Sequence, residues 1–143
     1  MNYPIAIVCG LMLVGFVAHM TGGVIQSLSI KPSRVSAKPG ATEPDESLEK
    51  LDRNWVQAMC AFQLVSVDLI AVAGVLYLLA FSDYHAAKQT IGFAVAGLFF
   101  LWGVAWLIQL GTLKRRLKDY LLLGHWAVWF LCSGLVFWGS MSL

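Results

Sequence analysis

Apolar positions do not alternate with polar ones along this chain; they run together. Four stretches, residues 4–25, 56–81, 90–111 and 120–140, hold a single Asp, Glu, Lys or Arg among them, Asp68. Each is long enough to approach or exceed the roughly 20 helical residues that cross a bilayer core of about 30 Å. Backbone groups in lipid must be satisfied internally, and the two-residue alternation of a small barrel is missing, so these stretches are predicted to be helices. The pattern predicts an all-α integral membrane protein, a four-helix transmembrane bundle forming a single transmembrane domain over residues 1–143. The first stretch lacks a basic leader and is longer than a signal-peptide core, so it is read as a retained span.

The segment between the first two spans, residues 26–55, is the long one. Its first half is rich in Ser, Pro and Lys, and Pro32 and Pro39 deny it a continuous helix. Thr42-Glu43-Pro44-Asp45 then has the form of a capping box. A short interfacial helix over residues 43–55 follows, continuous with the second span, with Leu48, Leu51 and Trp55 at helical spacing. Those residues suit an anchor for the helix end or a docking surface for a protein partner or anionic lipid.

Composition sharpens the topology. The chain is 59% hydrophobic and 13% charged, and the charges fall almost wholly outside the apolar stretches. Lys31, Arg34, Lys38, Lys50 and Arg53 precede the second span, and Lys114, Arg115, Arg116 and Lys118 lie between the third and fourth. The loop from Ser82 to Gln89 has Lys88 alone, and the ends have no Lys or Arg. By the positive-inside rule the loops at 26–55 and 112–119 are cytoplasmic, and both termini are non-cytoplasmic. The net charge of +2 is too small to point to nucleic acid. Cys9, Cys60 and Cys132, in three different spans and without a CxxC, make neither a disulfide framework nor a metal motif.

Candidate chemistry is confined to a few polar side chains inside the spans. An ionisable residue at the depth of Asp68 costs about 2.5–3.5 kcal/mol on insertion scales, so it is expected to face the bundle interior, to be paired or to be protonated. At 1.5 Å per residue, His19, Gln63 and His125 come out at matched depth, about 6–8 Å toward the cytoplasm from the midplane. His19 shares a stripe with Gly15, Gly22 and Gly23, which directs it into a helix contact. Close helix contacts are likewise expected at Gly92, Ala96 and Gly103. Two histidines on different helices suit axial ligation of a b-type haem, which makes His19 and His125 the candidate cofactor ligands. Asp68 and Gln63 suit a ligand, proton or ion site. Against both stands plain cross-helix hydrogen bonding.

The plan of four spans, both ends outside and a long charged first loop is similar to that of the membrane-associated eicosanoid and glutathione metabolism family. Of that family's Arg, His, Asn and Glu run at the start of the second span, Arg53 and Asn54 are present, adjacent to each other. The resemblance implies a lipid-modifying enzyme with its site at the cytoplasmic interface. The chain has no nucleophile motif, HExxH, phosphate loop or carboxylate pair at catalytic spacing. The leading expectation is therefore a non-enzymatic accessory, assembly or ligand-binding bundle, in contact with membrane lipids and with a protein partner or further copies of itself. The alternatives are a haem redox subunit using His19 and His125, and a proton- or ion-coupled transporter using Asp68.

Overall fold

The computed structural model describes residues 1–32, 46–82, 87–113, 116–122 and 124–143. Every regular element among them is a helix. Helix α1 (Tyr3–Ala18) passes through a π turn (His19–Gly23) into α2 (Val24–Ser29); then come α3 (Glu46–Phe81), α4 (Lys88–Thr112), α5 (Leu117–Leu122) and α6 (His125–Ser140). Three continuous helices, Tyr3–Ser29, Glu46–Phe81 and Lys88–Thr112, have the length and apolar composition of membrane spans.

The helix ends follow ordinary capping chemistry. Asn2 caps α1, its Oδ1 accepting from the Ile5 amide at 3.3 Å, and Pro4 sits in the first turn, where no intrahelical donor is lost. Glu46 and Glu49 occupy the first turn of α3, where the helix dipole favours them. The α3 helix then runs unbroken from the expected interfacial segment through the second apolar stretch. The Thr42 to Asp45 capping box lies outside the described residues.

The fourth apolar stretch differs from a single helix over 120–140. It is divided into α5 and α6, with Gly124 at ψ 15° between them. The indole Nε1 of Trp126 donates to the Tyr120 carbonyl at 2.8 Å, taking up an acceptor that a continuous helix would have used itself. Glycine disfavours a helix interior by about 1 kcal/mol relative to alanine, which makes Gly124 the weak point.

The chain divides into two compact units. One comprises Met1–Met12 and Val72–Leu143. Here the start of α1 runs antiparallel to the end of α3, with the Asn2 amide donating to Ala80 O at 3.0 Å and Cys9 Sγ donating to Ala73 O at 3.3 Å. Ile5, Val8 and Leu76 are fully buried. In the same unit α4 packs antiparallel on α6. Gly92 lies against Ser140, Gly103 against Phe130, and Ser133 Oγ donates to Ala96 O at 2.8 Å. Phe99, Trp102 and Trp129 form an aromatic cluster, with the two indoles edge-to-face at 5.1 Å.

The other unit comprises Leu13–Ala71: the end of α1, the π turn, α2 and α3 as far as Ala71. It holds His19, Gln63 and Asp68.

Candidate functional site

Helix α3 has one packing face. Its buried and half-buried positions, from Asp52 and Trp55 through Met59, Phe62, Ser66 and Leu69 to Ala73, Leu76 and Ala80, repeat at alternating steps of three and four. That is the heptad spacing of a left-handed helix seam. In the second unit the partner is the first helix.

His19 sits on this seam. Its Nε2 lies 2.9 Å from the Phe62 carbonyl oxygen, and since a carbonyl only accepts, Nε2 carries the proton. The imidazole also stacks on the Phe62 ring, centroids 3.7 Å apart at 17°. A Cβ on Gly23 would fall 2.5 Å from Phe62 Cζ, so the absent side chain makes room for that ring. The expected contact stripe is thus narrower than its glycines: Gly15 and Gly22 have open space where a Cβ would be.

A second anchor lies at the end of the same helix pair. Trp55 Nε1 donates to Ser27 O at 3.2 Å, and the Lys31 ammonium stands 5.3 Å from the Trp55 ring centroid. Between these anchors the first helix advances eight residues, His19 to Ser27, while α3 advances seven, Trp55 to Phe62. The π turn at His19–Gly23 supplies the extra residue, since a π-bulge is a one-residue insertion in an α-helix.

Ser66, one turn beyond Phe62, is 4% exposed, and its Oγ has no hydrogen-bond partner. A helical serine ordinarily bonds back to the carbonyl four residues earlier. For Ser66 that carbonyl is Phe62 O, already receiving His19.

Within the second unit, His19 and Gln63 make no hydrogen bond to each other. His19 meets the Phe62 main chain. Gln63 and Asp68 are both exposed, off the packed seam. Asp68 lies mid-way along the apolar part of α3, among the exposed Leu64, Val65 and Val67. His125 belongs to the other unit, where it opens α6 and lies 4.7 Å from the Trp106 ring. The interfacial Arg53 and Asn54 are exposed on α3.

One functional-looking residue escaped the sequence reading. Lys88 is the first residue of α4, not a solvated loop charge, and is 7% exposed. Its ammonium donates to Leu79 O at 3.4 Å and to Ser82 O, capping the end of α3 with positive charge where the dipole favours it. Ala87 before it adopts φ 60°, the left-handed region. Lys88 borders an open cavity of about 370 Å³ at this end of its unit, with Asn2, Leu79 and Ser142 also on the wall. Its sequence cue is its place two residues before the apolar run that begins at Thr90.

Among the described residues, no three His, Cys, Asp or Glu side chains come together as a group that could hold a metal ion. The chain matches no protein-family model, no curated protein and no solved structure.

Proposed function

We propose that this chain is a non-enzymatic membrane protein of accessory or assembly type, a four-span bundle whose working surface is the Asp68 face of α3. One observation carries this reading. Asp68 stands in the middle of an apolar helix, exposed, on the side away from the seam that packs the chain's own helices. An ionisable group at that depth costs about 2.5–3.5 kcal/mol unless a polar partner meets it, so the surface asks for another helix. In this reading α6 is the fourth span and α5 lies at the interface. The termini are non-cytoplasmic, as the basic residues at 26–55 and 112–119 favour.

A proton- or ion-coupled transporter would use the same carboxylate. The haem reading is less well supported, because His19 Nε2 is committed to Phe62 O, and an iron bond through that nitrogen would require the hydrogen bond to open.

The test is the particle mass of the protein in mild detergent, wild type against Asp68→Leu and Asp68→Asn. Wild type is expected to run as an assembly larger than one chain, and Asp68→Leu to fall apart at unchanged helix content. An Asp68→Leu protein of undiminished assembly size overturns the reading. An Asp68→Asn protein that keeps its size but loses ion flux in vesicles favours the transporter.

A further inference from the structure

We infer that the partner on the Asp68 face is a second copy of this chain, packed in parallel and in register along α3. The inference rests on the assembly reading above and names its occupant. Two residues beyond each position of the packed seam, about 200° around the helix, lies a second heptad series. It runs through Asn54, Gln57, Ala61, Leu64, Asp68 and Ala71, all exposed. Helix α3 thus carries two seams on opposite faces, and the chain fills one of them.

The second seam has the composition of a helix-to-helix contact. Ala61 and Ala71 let a neighbouring backbone approach closely, and Asn54 at the interface, Gln57 at the edge of the span and Asp68 within it are polar groups able to hydrogen-bond across helices. The two amides are also self-complementary. Each amide of Asn54 and Gln57 both donates and accepts, so each can bond its own counterpart.

Orientation and register then follow. Identical chains insert in the same sense, so a two-fold axis must run along the membrane normal and the helices must be parallel. In register, Asn54, Gln57 and Asp68 each meet their own counterpart. A one-heptad slip sets Asp68 against Ala61 and leaves a carboxyl against hydrocarbon. A polar residue at a heptad position specifies register and oligomer state in this way.

Disulfide trapping in native membranes tests the contact. Cys60, which is exposed, is replaced by Ser, while the buried Cys9 and Cys132 stay. Single cysteines are introduced as Ala61→Cys and Ala71→Cys on the seam, and as Val67→Cys and Ile70→Cys on exposed positions off it. Oxidation is expected to give a product of twice the chain mass at 61 and 71, at least about fivefold above 67 and 70, and to lose about tenfold of it on adding Asp68→Leu. Equal trapping at all four positions overturns the inference. Seam-specific products of some other mass overturn the second copy while leaving the assembly reading intact. No product at any position, with particle mass still dependent on Asp68, has the same meaning; no product and no such dependence sinks both.

Discussion

His19 and Phe62 hold each other twice, once through Nε2 on the carbonyl oxygen at 2.9 Å and once through stacked rings at 3.7 Å. The main-chain bond displaces Ser66 from its usual acceptor, so the two side chains are coupled. Ser66→Ala is expected to be neutral or to stabilise by up to about 1 kcal/mol, since it removes a buried unsatisfied hydroxyl and no bond. His19→Leu is expected to destabilise by about 1–3 kcal/mol, and in that background Ser66→Ala should become costly, because the hydroxyl has recovered Phe62 O. A double-mutant cycle on thermal unfolding in detergent measures the coupling. Strictly additive effects would contradict it.

The glycines divide by what stands where a Cβ would be. Gly23→Ala and Gly103→Ala drive a carbon to 2.5 Å from Phe62 Cζ and 2.7 Å from Phe130 Cε1, and overpacking of this kind costs about 1–3 kcal/mol. Gly15, Gly97 and Gly134 face open space, so alanine there should be neutral or stabilise by up to about 1 kcal/mol through helix propensity. Unfolding midpoints of the two sets should separate without overlap.

Lys88→Met should destabilise the protein by about 1–3 kcal/mol, because two carbonyls at the end of α3 lose a charged donor in a buried setting. Ala87→Gly should act in the opposite direction by about 1 kcal/mol, since it relieves a left-handed φ on a residue with a Cβ. Detergent denaturation of the two single variants checks both signs.

Deleting Met20, an exposed residue inside the π turn, should convert that turn to α-helix. The first helix would then offer seven residues against seven on α3 over the same rise, and both anchors should be kept. Trp55 retains Ser27 O, and its emission maximum is expected to stay unchanged. A red shift, as the indole gains water, would show that the bulge does more than absorb one extra residue.

How far the sequence revealed this arrangement depended on what kind of signal each feature sends. The long helices at Tyr3–Ser29, Glu46–Phe81 and Lys88–Thr112 were legible because long uncharged runs have few other outcomes. The break at Gly124 was hidden, since one glycine between Leu123 and His125 hardly changes local hydropathy. The glycine stripe marks His19 as a helix-contact residue, but its partner is a main-chain carbonyl, which no side-chain pattern announces. Depth matching alone sets it level with Gln63 and His125. Asp68 stood out by its charge, while its direction required the packed seam to be located first. Lys88 was invisible for the reverse reason: short polar stretches between spans look solvated whether or not a side chain folds back.

The division at Gly124 leaves α6 with 16 residues, about 24 Å of helix, beside an α4 of 25 residues and about 38 Å. Neighbours so unequal are matched to different hydrocarbon thicknesses. The longer one tilts or thickens the surrounding lipid, the shorter one thins it, each at a fraction of a kcal/mol per Å of mismatch. With α6 as the fourth span, the protein would ride where the bilayer is thin, and lipid chain length would become a means of sorting it between membranes.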